Sequence, residues 1–246
     1  MATQAKLRTR LNDERLFFMG LAAAMAIVTF IGFAPTYYLA GSYAPRAPAL
    51  TPAVHLHGAL CTGWILFLML QTGLVPAGRR DLHRAAGVMG VAIAIAVVAT
   101  GLFVATHSER RVHTAATDGT MADPYVFLIF PVTAATIFAL FVTMGVLNRR
   151  RPDYHKRLMI LATASMIGPA LARIVGRTTT ALPGAIGALV LINLFIVALA
   201  VHDIRTRGRL HPATLWGGGF LLVSEPLRVA IGFSEPWRAL ARMLMS

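Results

Sequence analysis

This sequence predicts an all-α, polytopic integral membrane protein with seven transmembrane helices, and three observations carry that fold class. The 246-residue chain is 57% hydrophobic and 13% charged, more apolar than a soluble domain of this length can bury. Its apolar residues fall in seven runs, each long enough as a helix to cross the ~30 Å hydrocarbon core of a bilayer. Arginines collect in alternate gaps between those runs. The formal charge of +13 is therefore read as topology and as contact with anionic headgroups, with no nucleic-acid partner expected. The only cysteine, Cys61, forms no internal disulfide, so the redox compartment is not legible.

The first span, 16–39, follows a basic segment that ends at Arg15. Its length and the lack of an obvious cleavage site predict a retained helix instead of a signal peptide. Span two, 53–76, carries the stripe His57, Cys61, Trp64, Leu68 and Gln71, whose i, i+4, i+7 spacing predicts a face turned into the bundle. The remaining spans are 86–106, 124–147, 158–177, 182–201 and 213–233. Pro52, Pro124 and Pro212 sit at helix starts, where a missing N–H costs nothing. Pro35, Pro131, Pro169 and Pro226 lie inside spans and predict kinks. The lengths leave no room for a separate soluble domain, so the chain reads as a single domain, 1–246.

Orientation follows from the cations. One set of gaps holds Arg79, Arg80 and Arg84, then Arg149, Arg150, Arg151, Lys156 and Arg157, then Arg205, Arg207 and Arg209. The opposite gaps hold Arg46, Arg110, Arg111 and Arg177, with Arg238 and Arg242 in the tail. The positive-inside rule then puts the N-terminus in the cytoplasm and the C-terminus outside, in a bacterial cytoplasmic (inner) membrane. A weak repeat marks the cytoplasmic side: His83, His155 and His211 each stand beside arginine just before an outward-going helix.

The outer half carries the first candidate site. His55 and His57 point about 200° apart on a helix, so one of them faces the bundle. Glu225 lies deep in span seven, and Arg228 is placed to pair with it at i+3. Arg173 has a similar depth on span five. Charges inside hydrocarbon usually face a partner or a cavity. One reading is an internal salt bridge that fixes packing. The other joins Glu225, Arg228 and Arg173 with His57, Tyr37 and Tyr38 in a polar pocket for a small hydrophobic or anionic ligand, a quinone headgroup or haem propionates. Haem b would need two axial donors at one depth, for which His57 or His55 would pair with His107 or His113. On the inner side, His83, His155 and His211 with Asp81, Asp153 or Asp203 form a sensible zinc or iron set. The plainer reading of the inner histidines, His202 included, is anchoring at the lipid interface. A retinal Schiff base is excluded, because the two lysines, Lys6 and Lys156, lie outside hydrocarbon. No GxxxxGK, GxGxxG or GxSxG motif is present.

The segments from His55-Leu56-His57-Gly58 through Trp64 and Gln71 to Leu82-His83-Arg84-Ala85-Ala86-Gly87 carry a resemblance. So do His155-Lys156-Arg157-Leu158-Met159 and Leu210-His211-Pro212-Ala213-Thr214-Leu215-Trp216-Gly217-Gly218. Together they resemble a group of uncharacterised bacterial multi-pass membrane proteins, a domain of unknown function, over most of spans two to seven. That resemblance implies a membrane fold and no particular reaction. A looser similarity is to b561-type and ferric-reductase-type membrane cytochromes, which implies histidines near helix ends as haem ligands. The expectation is a haem- or metal-binding membrane redox protein, with a transporter or sensor, or a metal-dependent membrane hydrolase, as the alternatives.

Overall fold

The computed structural model describes residues 2–43, 49–107, 123–178 and 184–245, with side chains from Asp13 onward and, in the last segment, from Gly187. Every regular element among them is helical. Helix α1, Ala2–Phe33, runs into a π-helical turn at Ala34–Tyr38, and α2 is the single turn Ala40–Tyr43. Helices α3, Pro52–Leu74, and α4, Arg80–His107, form a hairpin. The short α5, Pro124–Phe127, leads across Leu128 into α6, Ile129–Leu147. Helices α7, Pro152–Met166, and α8, Gly168–Thr178, are two parts of one path bent by 48°. Helix α9 is Gly184–Arg207. A second π-helical turn, Thr214–Gly218, opens α10, Gly219–Gly232, and α11 is Glu235–Met245.

Five helices are long and apolar enough to cross a membrane: Asp13–Tyr38, Pro52–Leu74, Arg80–His107, Pro124–Leu147 and Gly187–Arg207. The bent pair α7–α8 makes a sixth if it counts as one span. The run expected at 213–233 is helical but is not among these, because Glu225, Pro226 and Arg228 interrupt its apolar residues.

Three internal prolines leave the marks expected of them. Pro35 opens the π-helical turn. As a residue without an N–H it also frees the carbonyl of Ile31, which accepts a hydrogen bond from Arg177 Nη2 at 2.9 Å. Pro131 follows the break at Leu128, and Pro169 sits at the 48° bend. Pro226 lies inside α10, which continues through it from Gly219 to Gly232.

Helix α7 is the centre of the bundle. Arg157, Leu158 and the run Ile160–Ser165 are all buried, so no side of this stretch is left for lipid. Its Ala162, Thr163 and Ala164 are small enough to let neighbouring backbones close in. Helix α6 packs on α7, α9 on α8, α4 on both α3 and α6, and α1 on α3 and α8. Helices α1 and α8 approach backbone to backbone, so that a Cβ added at Gly32 would stand 2.5 Å from Ala170 O. The outer faces carry exposed Ile27, Leu66, Val88, Ile95, Val190 and Leu194, an apolar exterior suited to a lipid solvent. Helix α11 turns Trp237 and Ala241 inward against Leu128 and Ile129. Trp237 Nε1 donates to Tyr125 O at 2.8 Å.

Candidate functional site

A cavity of about 180 Å³ lies between α1, α3, α4, α6, α7 and the start of α8, toward the arginine-poor end of the bundle. The inward stripe of α3 builds one wall. Trp64, Leu68 and Gln71 are buried as expected, and His57, Cys61 and Trp64 line the cavity. Trp64 forms part of its deep end, packed edge-on against Phe138 at 4.9 Å between ring centres, with Nε1 donating to Thr163 Oγ1 at 3.1 Å. Helix α4 presents Gly101 to His57, where a Cβ would meet His57 Cε1 at 3.0 Å.

The hydrogen bonds around His57 orient the ring. Thr100 Oγ1 donates its one proton to Ala96 O at 2.7 Å and stands 3.0 Å from His57 Nδ1. On the other side of the ring, Nε2 stands 3.5 Å from Cys61 Sγ. Tyr37 OH donates to His55 O at 3.0 Å, and Tyr38 OH pairs with Thr62 Oγ1 at 2.8 Å. Histidine His55 is exposed and leans on the Tyr37 ring, 5.8 Å between centres. So the stripe settles which of the two histidines faces inward.

The wider pocket expected from the sequence is not assembled. Glu225 and Arg228 are buried on α10, but none of the cavity lining comes from α9 or α10. Glu225 Oε2 accepts from Asn193 Nδ2 on α9 at 3.1 Å, and Arg228 Nη2 donates to Ser224 Oγ at 2.9 Å. Among the described residues, no ion pair within 4.0 Å joins Glu225 to Arg228, so the expected i+3 bridge gives way to these neutral partners. Arg173 on α8 lies over the ring of Phe33 at 4.5 Å and donates to Pro169 O at 3.0 Å. It touches two lining residues without lining the cavity itself.

Nor do His57 and His107 pair as haem ligands. His57 stands level with Thr100 and Gly101 on α4, whereas His107 is roughly 9 Å further along that helix. His107 stacks on Phe103 at 4.3 Å and contacts Thr106 Oγ1 and Phe103 O through Nδ1. His113 lies outside the described residues.

At the arginine-rich end the histidines take up structural work. His83 Nδ1 donates to Gln71 O at 3.2 Å, and His155 Nδ1 donates to Gly145 O at 2.9 Å. Each thus ties the first turn of an outgoing helix to an open carbonyl in the last turn of the preceding one. Their rings meet edge-on, 6.2 Å between centres. His211 does something else: its Nδ1 accepts from Ala213 N at 3.0 Å, capping the helical run that enters α10. Among the described residues, no three His, Cys, Asp or Glu side chains converge to hold a metal ion. The expected set of His83, His155 and His211 with Asp81, Asp153 or Asp203 is corrected accordingly, since those aspartates pair with arginine or lysine.

The strongest of those pairs escaped sequence reasoning. Arg157 and Asp203, 46 residues apart, are both fully buried and joined by Nε to Oδ1 at 3.0 Å and by a second, shorter contact from Nη2. Asp203 Oδ2 also accepts from His211 N at 3.1 Å and from Thr214 Oγ1 at 2.5 Å. Around it, Lys156 bridges Glu14 at 2.6 Å and Asp153 at 2.8 Å, and His202 stacks on Phe17 at 4.0 Å. The network knits α1, α7, α9 and the approach to α10.

Comparison with family models, with curated proteins and with solved structures returns no match, so the functional reading rests on this chain's own residues.

Proposed function

We propose that this chain is a seven-helix protein of the bacterial cytoplasmic membrane, its arginine-rich end inside, that binds a small, mostly apolar, ring-sized ligand beside His57. The cavity carries the reading. Its volume of about 180 Å³ is on the scale of one substituted ring, since apolar cavities of ~150 Å³ take up benzene. Its lining is apolar except for His57, Cys61, Trp64 and a few threonine and tyrosine hydroxyls. No arginine or lysine lines it, which favours a neutral, quinone-like ligand over an anion. In this reading the ligand lies against the His57 ring, which Thr100 and Cys61 hold in place. The binding would serve a redox or sensing role for a lipophilic molecule. Haem is left out of this reading because His57 and His107 stand at different levels.

Duroquinone, a tail-free ring of suitable size, is the probe. In nanodiscs it should raise the melting temperature of the protein saturably, as a ligand that prefers the folded state must. Gly101→Leu puts a side chain against His57 inside the cavity and should abolish the shift. Equal stabilisation of this variant and the parent protein would overturn the reading.

A further inference from the structure

Thr29 on α1 differs from most threonines of the bundle. Nine others, at positions 62, 72, 100, 106, 133, 136, 163, 178 and 206, donate to the carbonyl four residues back. This is how a hydroxyl inside hydrocarbon satisfies its proton. Thr29 Oγ1 is buried, in a residue 7% exposed, and makes no hydrogen bond. An unmade bond of this kind is costly and calls for an explanation.

Its position supplies one. Thr29 lines the His57 cavity and also a second cleft of about 160 Å³ between α1 and α3. Ala26, Phe30, Tyr38, Thr62, Ile65 and Leu66 complete that cleft. Phe30 and Leu66 are exposed on the outer face of the bundle, so the cleft opens sideways toward lipid. Thr29, Tyr38 and Ile65 belong to both spaces and form the boundary between them.

The other hydroxyl and N–H protons that border the cavity are spent. Tyr37 gives its proton to His55 O, and Trp64 gives its own to Thr163. Thr163 donates to Met159 O and Thr62 to Gly58 O, which leaves Tyr38 as the donor to Thr62. The Thr29 proton is thus the one hydroxyl proton without an acceptor among the described lining residues. A ligand suited to it is an acceptor without a charge, which is the chemistry of a carbonyl.

We infer that the natural ligand is a membrane-borne lipid with a carbonyl-bearing ring, of the prenylated quinone class. Its ring occupies the His57 cavity, Thr29 donates to one ring carbonyl, and its tail leaves between α1 and α3 through the side cleft. This rests on the ring-binding reading above and adds the lipid tail, its exit and the donor.

Decylubiquinone and duroquinone, titrated in parallel by thermal shift in nanodiscs, test it, with decanoate as a third probe. Decylubiquinone should bind more tightly than duroquinone. The near-isosteric Thr29→Val should weaken both quinones roughly three- to tenfold, the worth of one neutral hydrogen bond. Ala26→Phe, which fills the cleft, should reduce decylubiquinone to the affinity of duroquinone and leave duroquinone unchanged. Leu66→Trp narrows the same cleft from its lipid-facing side and serves if Ala26→Phe does not fold. Unchanged quinone binding in Thr29→Val, or decylubiquinone indifferent to the filled cleft, overturns the inference while duroquinone binding keeps the reading beneath it. Decanoate binding more tightly than decylubiquinone overturns the choice of a carbonyl ring. Absence of any quinone binding removes both.

Discussion

Two buried carboxylates in this chain are held in opposite ways, and the difference sets what each is worth. Asp203 takes hydrogen bonds from Arg157, His211 N and Thr214, and both it and Arg157 are fully buried. Removing one charge from such a pair leaves the other uncompensated, at a cost of about 3–5 kcal/mol. Asp203→Asn should therefore lower the melting temperature sharply in detergent, while Glu225→Gln, which keeps an acceptor for Asn193, should change it little. A mild effect of Asp203→Asn would show the pair to be dispensable. The residues of the cavity were partly legible beforehand, since the i, i+4, i+7 spacing from His57 to Gln71 placed the stripe correctly. Thr29 was not, because a threonine in an apolar run normally satisfies itself locally and gives no sign of doing otherwise. Arg157 with Asp203, and Asn193 with Glu225, depend on contacts 46 and 32 residues apart, which no local pattern encodes.

Single helices show how a recurring signal can carry two meanings. The arginine-flanked histidines looked like one motif used three times. His83 and His155 do act alike, each closing a hairpin through a main-chain carbonyl, whereas His211 accepts a proton at the start of its own helix. That cap requires a neutral imidazole. Burial first, and then the nearby Arg157 and Arg207, hold His211 below its ordinary value of 6.5. A histidine depressed in the folded state stabilises fully above its unfolded pKa, and that contribution is lost as pH falls below 6.5 toward the folded value. Melting temperature should fall over this window. His211→Asn retains an acceptor for Ala213 N without titrating, so it should flatten that part of the profile; an unchanged profile would remove His211 from the account. The amphipathic α11 was missed because its arginines, Arg238 and Arg242, suggested a tail. The four-residue spacing of Trp237 and Ala241 was the available sign of a packed face.

Across the whole molecule, apolar length was the most legible property, and five of the expected spans are helices that meet it. The fifth, 158–177, passes only as a bent pair, and the last is diluted by the charges it buries. The arginine asymmetry orients the bundle in our proposal, and reporter fusions test it. Alkaline phosphatase joined after Met245 should be active and a fusion in the 149–151 loop inactive, with fluorescent-protein fusions giving the reverse. The opposite pattern would turn the bundle over and place the His57 cavity in the inner leaflet.

Helix α7 has a consequence for how the protein enters its membrane. It is the innermost element, yet it carries a fully buried arginine and a run of small residues, and a sharp bend follows it. A segment of this kind, alone in the lipid, would leave Arg157 without Asp203, which is synthesised 46 residues later. Its stable insertion therefore belongs to the growing assembly: α6 comes first, α7 leans on it, and α9 supplies the missing carboxylate. The centre of the finished bundle is then the last place in it to become settled.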